Sequence, residues 1–406
     1  MNETFQRQMR EATRLTQAGR LSEATAVIQR ALGGAAAPAD AGPAALEIPS
    51  PWVIDGCVFE VAEAVAPAPV QAPSQARPRP SEPAAPDVAA NRTRGPGEFS
   101  SGTHAHGGIA RGYKLYLPPG AAPAPMPLVV MLHGCTQDPD DFAVGTAMNE
   151  RAREQGFAVL YPAQAQDANP QRCWNWFKHN HQQRGCGEPA LLASLTQTVT
   201  ERHGLDSRRV YIAGLSAGGA MAALVASAYP ELFAAVGVHS GLPAGAATDL
   251  PGALTLMRSG VAGPTLPRKG ARTSRPAAAK GALHRPVPTI VFHGDQDPTV
   301  HPRNGEQVIA AALAGCDATA LRATTTSSSS GNTTLEQGES ATGRSYTRSC
   351  HRDAEGRVLA EHWLVHGAGH AWSGGHANGT FTDARGPDAT REMLRFFFEQ
   401  PLRPAR

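Results

Sequence analysis

At 406 residues, 41% of them hydrophobic, the chain is long enough for one or two domains and a sizeable core. Lys and Arg number 37 against 35 Asp and Glu, and the signs are interspersed, so no one-signed field exists to attract nucleic acid or an acidic lipid surface. That balance makes a small or neutral substrate the natural expectation, and no apolar run reaches the roughly 18 residues of a membrane-spanning helix, which points to a soluble protein.

Met1 to Arg20 is polar and charged, without the basic, apolar and small-residue succession of a Sec export signal. Over residues 1–33, Phe5, Met9 and Ala12, then Leu21, Ala24, Ile28 and Leu32, recur at helical spacing around Gly19. The pattern predicts an amphipathic helical hairpin, suited to docking a partner or granule surface or to packing on its own domain. Residues 34–95 are rich in Ala and Pro, with an apolar patch from Pro51 to Val65, and read as a linker.

From about Gly97 short apolar strands alternate with helical patterns, which predicts βαβ units, a mostly parallel sheet and an α/β domain over residues 96–406. Strands are predicted at Tyr113–Leu117, Leu128–His133, Ala158–Tyr161, Val210–Gly214, Ala234–His239, Thr289–His293 and Glu361–Val365. Helices are predicted at Glu188–His203, Ala217–Tyr229, Glu306–Leu313 and Pro387–Glu399. Asp353-Ala354-Glu355-Gly356 reads as a hairpin turn feeding the last strand. Residues 245–286 form a Pro-, Gly- and Arg-containing insertion, either a cap over a site or a surface loop, and the Ser-, Thr- and Gly-rich stretch 323–343 reads as a surface loop.

A serine hydroxyl is a weak nucleophile and needs a tight turn, a base and oxyanion donors. Gly214-Leu215-Ser216-Ala217-Gly218 lies between the β-rich Val210–Ala213 and a helical run from Gly219, the strand-turn-helix setting of a nucleophile elbow. Ser216 is therefore the candidate nucleophile. The strand Thr289–Phe292 leads into His293-Gly294-Asp295-Gln296-Asp297. Asp297 is the candidate acid, and Asp295, next to the turn glycine, is expected to shape the loop. Trp363-Leu364-Val365 leads into His366-Gly367-Ala368-Gly369-His370, where glycines let His370 reach over the sheet edge as the base; His362, His366 and His376 are expected to be structural.

The oxyanion donors are expected to be the backbone N–H of Ala217 and that of Cys135, at the end of Leu132-His133-Gly134-Cys135. Trp174 and Trp176, together with Trp372 two residues past His370, are candidates for lining a substrate subsite. Six cysteines in a chain this long do not make a disulfide scaffold. Cys173, Cys186, His179 and His181 lack paired ligand spacing, so no metal is expected there.

These motifs resemble the polyhydroxybutyrate depolymerase-like esterase family, α/β-hydrolases that also include feruloyl and acetylxylan esterases. The similar stretches are Leu132-His133-Gly134-Cys135-Thr136-Gln137, Cys173-Trp174-Asn175-Trp176-Phe177, Gly214–Met221, His293–Asp297, Gly369–Gly375 and Gly386-Pro387-Asp388-Ala389, in order from about residue 97 to 400. The resemblance implies a triad of Ser216, Asp297 and His370, no metal or other cofactor, and hydrolysis of a polyester oligomer or an aryl or acyl ester. It also implies pairing of Cys135 with Cys173 and of Cys316 with Cys350, and secretion, at odds with the polar start. A reading from another class is a non-catalytic adaptor that holds a partner through the hairpin and linker.

Overall fold

The computed structural model describes residues 95–120, 125–260, 287–314 and 333–400. The hairpin read over 1–33, the linker up to residue 94, and residues 261–286 and 315–332 lie outside the described residues. The chain divides into the units Met1–Pro83 and Ala84–Arg406, and every element described belongs to the second.

Among the described residues, ten strands form one sheet in the order β1-β2-β4-β3-β5-β6-β7-β10-β9-β8. Its centre is parallel: β4 (Ala158–Pro162), β3 (Leu128–Leu132), β5 (Val210–Leu215), β6 (Ala235–His239), β7 (Thr289–Gly294) and β10 (Val358–Val365). Strands β3 to β7 are buried from end to end, as parallel strands covered on both faces must be. Side-chain alternation divides the core in two. Leu128, Val130 and Leu132 meet Leu192, Leu195, Met221 and Val225 of α3 (Gly187–Arg202) and α4 (Ala217–Ala228). Val129 and Met131 face the other way, toward Phe142 of α1 (Pro139–Thr146), Met148 of α2 (Met148–Gln155) and Met393 and Phe397 of α7 (Ala389–Phe398).

The chain adds β4 on one side of β3 and β5 on the other. The connections after β3 and β5 therefore leave in opposite directions, and a crevice opens beyond the carboxyl ends of these two strands. This switch point positions the site.

Of the antiparallel edges, the sequence reading finds the Tyr113–Leu117 strand and the hairpin turning at Asp353–Gly356 and misses the outermost strand on each side. β1 (Glu98–His106) is built of Ser, Thr, His and Gly without an apolar alternation, and it pairs with β2 (Ile109–Leu117) through Gly107 and Gly108, whose φ angles are 58° and 77°. The 323–343 stretch is corrected in part: Thr333–Glu339 is β8, an exposed strand pairing antiparallel with β9 (Ser345–Arg352). Both its faces are open, so its sequence carries no burial signal, and Glu336 instead pairs across to Arg348 at 3.1 Å. Within the 245–286 insertion, Leu250–Ser259 is a helix, α5, whose amino end is capped by Asp249 accepting the Gly252 N–H. A further helix, α6 (Arg303–Ala314), precedes β8.

The far edge is held by one buried carboxylate. Glu361 on β10 is fully buried and accepts Arg348 Nη2 at 2.8 Å, Arg395 Nη2 at 2.6 Å and the Trp363 indole at 3.2 Å, joining β9, β10 and α7. Burial alone would raise its carboxyl, but the hydrogen bonds and charges of Arg348 and Arg395 outweigh burial and hold it below the usual range. Stability from this cluster is thus present above the unfolded carboxylate range and lost as pH falls through the folded value. Glu361→Ala is expected to cost toward the low end of about 3–5 kcal/mol, because both arginines keep an exposed edge. Glu361→Gln is expected to lower Tm at pH 7 and to weaken its fall in acid. Thermal unfolding followed by circular dichroism from pH 3 to 7 checks both.

Candidate active site

β5 runs into Ser216, which takes φ 58° and ψ −120° before α4 begins. A left-handed φ on a residue with a Cβ costs on the order of 1–3 kcal/mol and persists only where the surroundings impose it. Here they do. The Ser216 N–H donates to His239 O at 2.8 Å, and its carbonyl accepts the Ala220 N–H at 2.9 Å. A Cβ on Gly214 would lie 2.4 Å from the Gly218 carbonyl carbon, and one on Gly218 would lie 2.1 Å from Leu132 O, so both glycines are required for close approach. Ser216 occupies the N-cap position of α4 yet makes no capping hydrogen bond, which leaves its hydroxyl uncommitted to the helix.

Beyond β7, Asp297 Oδ1 accepts the N–H groups of Thr299 and Val300 at 2.9 and 2.8 Å, and Oδ2 lies 2.7 Å from His370 Nδ1. An ionised carboxylate only accepts, so Nδ1 carries the imidazole proton and Nε2 is left with its lone pair. Burial would raise the Asp297 carboxyl, but the hydrogen bond and charge of His370, the Val300 N–H and His293 outweigh it and hold the group below its usual value. His293 clamps the same loop by donating Nε2–H to Val300 O at 2.8 Å. Asp295 takes the neighbouring task read from the sequence: it accepts the Gly367 N–H at 2.7 Å and His366 Nδ1 at 2.9 Å, tying the loop after β7 to the loop after β10.

His239, which the sequence reading did not single out, connects the parts. Its carbonyl holds Ser216, its Nε2 accepts the Ser373 N–H at 2.9 Å, and its ring stacks on Trp372 with centroids 5.1 Å apart. Burial, with His293 and His370 nearby, pushes it down to about 3, so it acts as a neutral acceptor. No local sequence signal marks it, since it reads as the last residue of a buried strand.

Cys135 and Ala217 each lie three residues beyond the register partners Leu132 and Gly214 on adjacent parallel strands. Neither N–H donates to a loop or cap carbonyl among the described residues. The loop carrying Cys135 is pinned from several sides. His133 Nδ1–H donates to Gly134 O at 2.8 Å, and its Nε2 accepts the Gln164 N–H at 3.1 Å, consistent with a neutral ring pushed down to about 4 by burial. A disulfide joins Cys135 to Cys173. Glu188, buried at the start of α3, accepts Gln164 Nε2 at 2.6 Å and both the Asn175 N–H and Asn175 Nδ2 at 2.8 Å, with Arg111 Nη2 at 3.6 Å. Glu188, Gln164 and Arg111 also escaped the sequence reading, because a charge buried by folding looks like any surface charge in sequence.

All three candidate subsite tryptophans are buried. Trp174 is fully buried with its indole N–H on His133 O at 3.1 Å; Trp372 is buried with its N–H on Thr390 Oγ1 at 3.0 Å; Trp176 is buried, edge-on to Phe177 at 5.7 Å. Their apolar area serves the two cores, and the polar handles of Trp174 and Trp372 are used internally. Cys350, implied to pair with Cys316, carries a free buried thiol that burial pushes up, while Cys316 lies outside the described residues.

A mostly parallel sheet between two helical layers, with a strand-turn-helix serine at its switch point, defines the α/β-hydrolase fold. The acetyl xylan esterase of Aspergillus awamori shares it, with a TM-score of 0.50 at 20% identity over 71% of this chain and 94% of that one. The sequence profile described as Esterase PHB depolymerase matches residues 111–334, more than half of the chain, and the chain belongs to that family. Similar proteins include the poly(3-hydroxyalkanoate) depolymerase C of Paucimonas lemoignei, 34% identical over 47% of this chain and 45% of that protein. Feruloyl esterase B of Thermothelomyces thermophilus is 30% identical over 45% of this chain and 63% of its own length. The chain thus spans less than two thirds of each of these two relatives.

The two buried imidazoles make stability depend on pH. Unfolded, His133 and His239 take up protons near the ordinary 6.5; folded, only near 4 and 3. The unfolded chain binds more protons in that window, so stability falls as pH falls from about 6.5 toward 4. Calorimetry is expected to show Tm dropping across it and a shallower drop in His133→Asn; equal slopes would contradict the assignment.

Proposed function

We propose that the protein hydrolyses carboxylic esters through an acyl-enzyme on Ser216. The observation that carries this is the Asp297–His370 bond at 2.7 Å, which leaves the His370 Nε2 lone pair free to act as a base, in a loop that, like Ser216, follows the carboxyl end of a strand of the parallel sheet. His370 takes the Ser216 proton, the alkoxide attacks the ester carbonyl, and the Ala217 and Cys135 N–H groups stabilise the oxyanion. The proton passes from His370 to the leaving alcohol, giving the acyl-enzyme. Water, deprotonated by the same imidazole, then releases the acid and restores Ser216. Asp297, held ionised, orients His370 and stabilises its cation.

For the substrate we propose a short-chain hydroxyalkanoate ester, an oligomer of the polyester type in the name of the Paucimonas lemoignei relative. The relative named for feruloyl ester hydrolysis makes an aryl-acyl ester the alternative. The Cys135–Cys173 disulfide beside the site suits an oxidising compartment, and we propose that the enzyme works outside the reducing cytosol.

Ser216→Ala is expected to abolish hydrolysis of p-nitrophenyl butyrate with Tm retained, and Asp297→Asn to lower kcat by about 10³–10⁴-fold. Undiminished turnover in Ser216→Ala would sink the assignment. A panel of 3-hydroxybutyrate oligomers against methyl ferulate and acetylated xylan decides the substrate, with the oligomers expected to give the highest kcat/KM.

A further inference from the structure

Gln137 is buried and supplies none of the groups in the proposed reaction, yet its carboxamide joins three segments around the crevice. Oε1 accepts the Gly134 N–H at 2.9 Å. Nε2 donates to Asp141 Oδ2 at 2.9 Å and to Thr380 O at 3.1 Å, with Thr380 Oγ1 at 3.3 Å. Asp141 closes the clasp by accepting the Thr380 N–H at 2.8 Å and the Thr380 hydroxyl at 2.5 Å. The next residue, Phe381, accepts the Trp372 backbone N–H on its carbonyl at 2.7 Å, and Trp372 lies two residues past His370.

The orientation of the amide is dictated by its partners. A backbone N–H needs an acceptor and a carboxylate needs a donor, and only a carboxamide offers both at this spacing. With Gly134 N–H on Gln137 and Gly134 O on His133 Nδ1, both polar groups of Gly134 are committed. The two peptides that flank Gly134 are then both held, the His133–Gly134 peptide by Gln137 and the Gly134–Cys135 peptide by His133, and the Cys135 N–H, opposite to the Gly134 carbonyl, keeps its direction while both are in place.

We propose that Gln137 is a positioning residue for the oxyanion site: by holding the peptide before Gly134 while His133 holds the one after it, it keeps the Cys135 N–H aimed, and it locks that loop to the loop that follows His370. The proposal rests on the esterase reading above. A misaimed donor weakens binding of the tetrahedral oxyanion more than binding of the planar ester, so the loss falls on kcat.

Gln137→Glu keeps the size and the acceptor for Gly134 but, when ionised, faces Asp141 without a donor; Gln137→Ala removes both halves. Steady-state hydrolysis of p-nitrophenyl butyrate is measured for both from pH 5.5 to 8, with Tm. Removing one oxyanion donor outright lowers kcat by about 10²–10³-fold, so misaiming it is expected to cost about 10–100-fold in kcat with KM within about twofold. In Gln137→Glu, kcat relative to the unsubstituted protein is expected to recover toward acid, as a proton shared with Asp141 replaces the lost donor. Unchanged kcat with a lowered Tm, or a loss confined to KM, overturns the positioning role while leaving the esterase reading standing. Absence of Ser216-dependent turnover in the unsubstituted protein overturns both. Should Gln137→Ala fail to fold, the near-isosteric Gln137→Glu carries the same test.

Discussion

The backbone of Ser216, at φ 58° and ψ −120°, is a conformation that a residue with a side chain leaves unless it is held. Holding it requires the strand end of β3 to lie against the first turn of α4 with nothing but hydrogen at Gly218, and β6 to present His239 O to the serine N–H. These same contacts bring the Cys135 and Ala217 N–H groups to adjacent strand ends. The energy stored in one turn is therefore offset by packing along three strands. Gly214 and Gly218 belong to the sheet's architecture as much as to the site.

The electrostatics follow from which groups burial neutralises and which it leaves charged. His133 and His239 are pushed far below their ordinary values and serve as fixed hydrogen-bonding bodies, one for Gly134 and one for Ser373. Asp297 is buried too, yet two backbone N–H groups and His370 keep it ionised. The proposed base thus has an ionised carboxylate on its Nδ1 side, where the charge stabilises an imidazolium. Glu361 repeats the principle away from the chemistry, and Glu188 too is buried where several donors converge.

The parallel centre of the sheet was legible because buried strands are written as continuous apolar runs. The turns bearing Ser216, Asp297 and His370 were legible because glycines mark where backbone must bend or approach closely. The burial of Trp174 and Trp372 was not legible, because sequence shows that an indole exists, not which face of the sheet it packs on. β1 and β8 went unread because edge strands are held by backbone pairing and leave no burial pattern in their residues. The roles of His239, Glu188 and Gln137 went unread because each depends on at least one partner far along the chain: Ser373 at 134 residues, Gln164 at 24 and Thr380 at 243.

The proposed chemistry requires Ser216 to be activated by its surroundings. Treatment with a fluorophosphonate followed by peptide mass mapping reads that directly. A single phosphonyl adduct on the peptide carrying Ser216, slowed by orders of magnitude in His370→Ala, is the result expected. No adduct, an adduct on another residue, or equal labelling of the His370→Ala variant would contradict it.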